Sequence, residues 1–382
     1  MFVYLFIFLF VLLTFFATKG QPRLTRQMFA MDMLVLSIFI GISDMLGGFD
    51  RYIYGEVFDS IARALRGSNG IRDVNVNAFF WITEPAYLLW NVIIALFTQN
   101  RYIFIFITTL TIYFLFYRSF IENVSEPIFG LVIFLGLYFF FTFTYLRQVF
   151  AVAIIWNAVK YIEQRNLRKF ILFTIIATLF HNSAIVCMAM YFVPVKKFNR
   201  KLILACFTIC LLLGAFGIHE RLFSAFESIV VNENRQQIEY GNIKRIRIEY
   251  ILEASFFLYL LFRTYSNKLI SKHEIVSLNI GILFCMVLAL FCRSSDGGRV
   301  SWFFIIGLIS TFSRSFASSG KLTLPGLGLI AVSAALYLRI LTSWGGLLMP
   351  YKSFFTNGVR SNDEIHRFFE YDRQYDKDKF YK

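Results

Sequence analysis

Four ionisable side chains stand in or beside apolar runs: Glu84 in "WITEPAYLLW", Arg147 in "YLRQVFAV", His181 in "TLFHNSAIV" and Asp50 in "GGFDRYIY". A charge at the centre of a hydrocarbon layer costs roughly 2.5–3.5 kcal/mol or more, so such groups pair or face a wet cavity. Their types fit complementary tasks. An arginine fork binds paired phosphate oxygens and stays charged. A histidine or carboxylate can take the proton of a hydroxyl. Arg293 and Arg299, in "CRSSDGGRVSW", add two more cations beside Asp296. Each residue also has a plainer reading. Arg147 can snorkel to an interface, and His181 can be a satisfied buried histidine. Glu84 before Pro85 can be a helix-start acid. Arg293 and Arg299 can be loop charges, and Asp50 a turn residue. After its apolar run, Arg147 needs an anion or water. The nearest acids along the chain, Glu126 and Glu163, are on another segment or at the far end of its helix, so an anion such as phosphate suits the position.

The chain has 382 residues, 58% of them hydrophobic, with 48 Phe, and a mean hydropathy of +0.62. Apolar runs recur from end to end, near 2–18, 28–42, 78–98, 102–117, 128–145, 147–162, 170–194, 202–218, 248–262, 275–292, 300–313 and 322–343. The composition predicts an all-α polytopic membrane protein with about 10–13 transmembrane or half-membrane helices. The first run lacks a basic leader and reads as a membrane helix, not a signal peptide. The formal charge of +14 belongs to bases that punctuate the apolar runs, not to a nucleic-acid surface. Five cysteines lie in or beside apolar segments without a CxxC, and no His or acid completes a metal set around Cys206 and Cys210. No P-loop, GxSxG, HExxH or dinucleotide fingerprint occurs, so neither a metal nor a nucleotide cofactor is expected.

The organisation expected is one membrane domain over 1–343, with outer loops near 43–77 and 219–247, and a polar tail over 344–382. The tail is either disordered or folded back on the membrane face. Basic loops at "TKGQPRLTR", "EQRNLRK", "VKKFNRK" and "RTYSNKLISK" should be cytoplasmic, with the long polar regions outward. This requires one segment between 78 and 145 to be split or not to cross, and puts Arg147 at the outer end of its helix. The run 170–194 has basic flanks on both sides, so it is predicted to be a hairpin of two half-helices, 170–180 rising and 183–193 descending. Asn182 or Ser183 would cap the second. From helix rise, His181 would stop about 7 Å short of Arg147, within one cavity. Residues 219–247 hold Leu222, Phe226 and Ile229 at helical spacing and read as an interfacial amphipathic segment.

The stretch "YLRQVFAVAIIWNAVKYIEQRNLRKFILFTIIATLFHNSAIV" resembles the core of the EpsG family of Wzy-like exopolysaccharide and O-antigen polymerases. The matching pattern is an Arg-Gln pair (Arg147, Gln148), a small residue (Ala151), a basic turn, and His181-Asn182-Ser183-Ala184. "GGFDRYIYGEVF" is similar to the family's Gly-x-Asp-x-x-x-Tyr stretch through Gly48, Asp50 and Tyr54. "TEPAYLLWNVI" is similar to its Glu-Pro-x-Tyr stretch through Glu84, Pro85 and Tyr87, and "MPYKSFF" to its Pro-Tyr through Pro350 and Tyr351. In place of the arginine and threonine that members often carry before that aspartate, this chain has "SDMLGGFD". The resemblance implies transfer of a glycan from one undecaprenyl-diphosphate carrier to the sugar end of another carrier-linked repeat, at the outer face of the bacterial inner membrane. It implies no cofactor, since the diphosphate lipid is the leaving group. Arg147, His181, Glu84 and Asp50 are then the catalytic candidates. Gln148, Asn182, Ser183, Tyr54, Arg293, Arg299 and Tyr351 are the substrate-binding ones. A chain-length regulator and a flippase would be partners. The rival readings are a lipid-linked oligosaccharide flippase or transporter and a surface-glycan ligase.

Overall fold

In the computed structural model, residues 1–67, 84–218, 245–265, 271–294, 297–317 and 321–382 are described. The expectation for residues 219–247 falls almost wholly outside them, as does Asp296. Among the described residues the chain is helical, with one isolated β-bridge between Ser43 and Ser353. The helices are α1 (Phe2–Thr18), α2 (Pro22–Gly41), α3 (Phe49–Ala64), α4 (Pro85–Ala95), α5 (Arg101–Asn123), α6 (Pro127–Leu137), α7 (Leu146–Glu163), α8 (Leu167–Phe180), α9 (Arg200–Ala215), α10 (Ile248–Thr264), α11 (Lys272–Leu290), α12 (Ile305–Ala317), α13 (Leu324–Ser343), α14 (Gly345–Leu348), α15 (Glu364–Phe369) and α16 (Gln374–Lys377). Three 3₁₀ stretches, Phe139–Phe143, Asn182–Phe192 and Gly297–Phe304, interrupt them. Prolines open α2, α4 and α6, where a missing N–H costs nothing. Asn100, Asn166, Asn199, Ser271 and Thr323 accept the first amides of α5, α8, α9, α11 and α13.

Five helical spans among the described residues, including α2, α5, α11, α13 and Gly298–Ala317, are long and apolar enough to cross a bilayer. The chain is a multi-pass membrane protein. α7 lies at its centre, every residue from Leu146 to Val159 buried, as expected of a helix with apolar surface all round. The Trp156 indole donates to the Phe303 carbonyl at 3.1 Å inside a box of Phe116, Phe134 and Tyr138. α11 and α12 meet where a side chain at Gly307 would stand 2.4 Å from the Gly281 nitrogen, so the glycine is what permits the approach.

The basic loops gather at one end of the bundle. Glu163 pairs with His273 at 3.3 Å and Arg314 with Glu274 at 2.8 Å, while Lys197 donates to the Tyr265 carbonyl. Phe29, just inside α2, stacks on Tyr117 and Phe120 near the same end of α5. The opposite end carries α3, Arg101, Arg147 and the polar tail. The segment that does not cross is α4. Its 11 residues span about 16 Å, and both flanks lie at this opposite end, Glu84 against Arg147 and Arg101 against α3. The run 128–145 instead breaks into α6 and the 3₁₀ turn Phe139–Phe143, yet it runs from one end to the other. The Glu126 backbone amide donates to the Ser313 hydroxyl at the basic end, and the Phe143 carbonyl takes Arg51 at the other.

The hairpin over 170–194 is present, with one correction: its descending arm is a 3₁₀ stretch, not an α half-helix. His181 is extended, at φ −158° and ψ 120°, and breaks the helix. Arg165 donates to the Tyr191 and Val193 carbonyls at 2.9 and 2.8 Å, which closes the hairpin at its basic base.

The tail is folded. α15 packs on α3, with Phe369 edge-on to Phe49 at 4.3 Å. Arg101, with no exposed side-chain surface, binds Asp59 at 2.7 Å, Glu56 at 2.6 Å and the tail's Glu370 at 3.1 Å. Lys379 reaches Asp44 at 3.1 Å and Lys382 reaches Asp59 at 3.1 Å. Burial pushes the Glu370 carboxyl above its ordinary range against the pull of Arg101. Burial also acts on Asp372, but hydrogen bonds from Lys382 and Tyr381 outweigh it and hold that carboxyl down. None of this was legible as a site. Arg101 in "QNRYIF" reads as an ordinary loop base, and only the charge mixture of "YDRQYDKDKFYK" hints at pairing.

Candidate functional site

Three segments distant in sequence supply the centre of the site. Arg147 sits at the start of α7, Glu84 immediately before α4, and His181 at the break in the hairpin. The Glu84 carboxylate joins them. One oxygen takes the Arg147 guanidinium; the other lies 2.8 Å from His181 Nδ1 and 3.4 Å from the Asn182 amide. Glu84 is 2% exposed and the His181 side chain 20%. The anionic partner of Arg147 is therefore Glu84, not solely a diphosphate, which corrects the sequence reading. Glu84 contacts Arg147 from 63 residues away in the chain, beyond reach of any local inspection.

The carboxylate fixes the chemistry of the histidine. A carboxylate only accepts, so Nδ1 carries a proton and Nε2 is turned away from Glu84. One buried carboxylate thus orients an arginine and a histidine side by side. The Arg147 guanidinium also lies 5.5 Å from the centre of the Tyr54 ring, which in turn meets Tyr87 edge-on at 5.9 Å. Tyr54 is placed by α3. That helix begins after Gly47 and Gly48, whose φ of 109° and 105° suits glycine alone. Arg51 ties the turn down by donating to the carbonyls of Phe143 at 2.7 Å and Ile40 at 2.9 Å. Asp50 stands in the first turn of α3, one turn from Tyr54 and half-buried.

The other expected residues divide. Gln148 donates to the Arg299 carbonyl at 3.3 Å, so the 3₁₀ stretch Gly297–Phe304 abuts the start of α7. The Arg299 guanidinium lies 4.1 Å over the Tyr145 ring, two residues from Arg147. Arg293 instead donates to the Ala215 carbonyl at 3.0 Å, at the end of α9, and among the described residues makes none of the cluster's contacts. Tyr351 is engaged in packing: it stacks on Phe39 at 4.4 Å and donates to the Phe39 carbonyl. Neither Asn182 nor Ser183 caps the descending arm through its side chain. The Asn182 backbone amide faces Glu84, and the Ser183 hydroxyl is buried with no hydrogen-bond partner among the described residues.

A second constellation looks catalytic but is a brace. At the basic end Ser310, His273 and Glu163 lie in line, with His273 Nε2 3.4 Å from the serine oxygen and Nδ1 3.3 Å from the carboxylate. Nε2 is also 3.0 Å from the Asn123 carbonyl, which can only accept. That nitrogen therefore holds a proton already and cannot take one from Ser310. Among the described residues no group of three or more His, Cys, Asp or Glu could hold a metal ion.

No curated protein and no solved structure matches the chain. The model of the EpsG family matches residues 30–353, a stretch that contains Asp50, Tyr54, Glu84, Arg147 and His181 and most of the chain, and the chain therefore belongs to the EpsG family.

Proposed function

We propose that this protein polymerises lipid-linked polysaccharide repeat units at the outer face of the bacterial inner membrane. The carrying observation is the Glu84 carboxylate that holds Arg147 and His181 together, at the end of the bundle opposite the basic loops. Excess Lys and Arg mark the cytoplasmic side, so that arrangement supports an outward-facing site. Family membership supports the reaction class.

The donor is a glycan on undecaprenyl diphosphate, and the acceptor is the sugar end of a second carrier-linked repeat. His181 Nε2 takes the acceptor hydroxyl's proton as that oxygen bonds to the donor's anomeric carbon. The bond from that carbon to the diphosphate oxygen breaks, and its electron pair leaves on the diphosphate. Arg147 shares its guanidinium between Glu84 and this leaving group, and so stabilises charge that grows in the transition state. Arg299, beside the start of α7, and Asp50, one turn from Tyr54, are placed to meet substrate. A flippase that supplies the repeat and a regulator of chain length are the partners this reaction calls for.

Purified protein with a synthetic lipid-diphosphate repeat tests the proposal. A ladder of products is expected. Unchanged substrate moved across a liposome would make the protein a flippase instead.

A further inference from the structure

The descending arm of the hairpin, α9 and α11 enclose a groove of about 250 Å³ near the basic end. Its walls are apolar, among them Ala189, Val193, Leu202, Ile203 and Met286. This volume lies below the ~300–1,000 Å³ of sites for compact small molecules, and suits a slender chain. The groove opens onto exposed apolar surface: Phe192 is 79% and Leu202 51% exposed. α9 continues that surface with Leu204, Ile209 and Leu212. In a bilayer these side chains face lipid.

Two observations say which lipid. The loop that forms one wall, between Pro194 and Phe198, carries Lys196 and Lys197, and Arg200 and Lys201 precede Leu202. Lys196, Arg200 and Lys201 are exposed. Arg200 leans on Tyr265 at 5.2 Å, which holds its charge at the mouth. The wall also contains a polar group. Asn279, 1% exposed, donates its amide to the Pro194 and Lys196 carbonyls at 2.8 and 3.1 Å. Among the described residues its buried carbonyl oxygen has no partner, an acceptor waiting for a donor.

We propose that this groove binds an anionic phospholipid of the leaflet at the basic end. One acyl chain lies between the 3₁₀ arm and α11, the phosphate meets Lys196 and Lys201, and a headgroup hydroxyl donates to Asn279. The lipid would prop the hairpin whose tip carries His181, linking the bilayer's composition to the site from the opposite end.

Native mass spectrometry of the delipidated protein with phosphatidylglycerol or phosphatidylcholine tests this without any appeal to activity. Phosphatidylglycerol should be retained in preference. Lys196→Gln and Lys201→Gln should each weaken retention about fivefold, and Ala189→Trp, which fills the groove, should abolish it. Thermal unfolding of the variants controls for folding, and Leu202→Trp repeats the blocking test should Ala189→Trp fail to fold. Equal retention of phosphatidylcholine would overturn the proposal. So would preferential retention of undecaprenyl phosphate, since the groove would then belong to the carrier lipid. A failed polymerase assay leaves these outcomes untouched.

Discussion

At the scale of the residue, Glu84 binds two partners with opposite needs. Replacing it by Gln keeps the shape but removes the charge, so Arg147 loses its counter-ion and His181 its fixed tautomer. Glu84→Gln should cut polymer formation by roughly a hundredfold or more, with protein inserted in the membrane; near-normal rates would make the carboxylate a structural link only. Arg147→Lys should fail nearly as badly as Arg147→Ala, because a point charge cannot span Glu84 and a diphosphate together. The expected loss is a hundredfold to a thousandfold in rate, about 2.7–4 kcal/mol. A lysine variant that polymerises well would show Arg147 to be an interfacial anchor. Arg147→Ala also removes the guanidinium partner of the buried Glu84 carboxylate, which destabilises by about 3–5 kcal/mol. Lys is thus the cleaner variant to assay. His181→Ala should reduce product strongly. His181→Gln, which can donate to Glu84 but cannot serve as a base, separates a hydrogen-bonding role from proton transfer, and full activity of both variants would remove His181 from the mechanism.

At the scale of the element, the hairpin of α8 and the 3₁₀ stretch is what sets His181 at the depth of Arg147. α8 rises about 21 Å over its 14 residues; the 3₁₀ arm returns about 22 Å over its 11. Both arms therefore end at the level from which they start, where Arg165 pins them. Single cysteines at Arg168 and Lys196, in a background whose native cysteines are replaced, should be labelled from the same side of the membrane. Labelling from opposite sides would refute the hairpin. α4 plays the complementary part. Too short to cross, it leaves Glu84 before it and Arg101 after it at the same end of the bundle, and Trp90 anchors it by donating to Thr108 at 2.9 Å.

At the scale of the whole molecule, the folded tail closes the end where the site lies. It holds α3 through Arg101, Asp59 and Glu370, and α3 holds Tyr54 beneath Arg147. Arg101→Ala strands buried carboxylates and should lower the unfolding midpoint of the purified protein strongly, consistent with about 3–5 kcal/mol for a broken buried pair. Deleting residues 350–382 should preserve insertion yet abolish polymer, since α3 loses its clamp. Unchanged product from the truncated protein would show the tail to be dispensable for the site.

Composition and pattern by themselves determined that this is a helical membrane protein, because apolar runs of that length can satisfy their backbone in lipid only as helices. Basic flanks on both sides of 170–194 were enough to imply the hairpin, and the cost of charge in lipid was enough to single out Glu84, Arg147 and His181. What only the tertiary structure decided was the pairing. Glu84, Arg147 and His181 come from segments whose relative depth depends on α4 failing to cross and on the 3₁₀ arm. Neither is written in local periodicity. The same holds for Arg101 and the tail: a buried ion pair needs both charges, and they lie 269 residues apart. Tyr351 and Arg293 show the converse. Their residue types suit a substrate, yet packing on Phe39 and the Ala215 carbonyl engages them elsewhere. Local sequence fixes which helices can exist and which charges need company; the companions are chosen by how the helices stack in three dimensions.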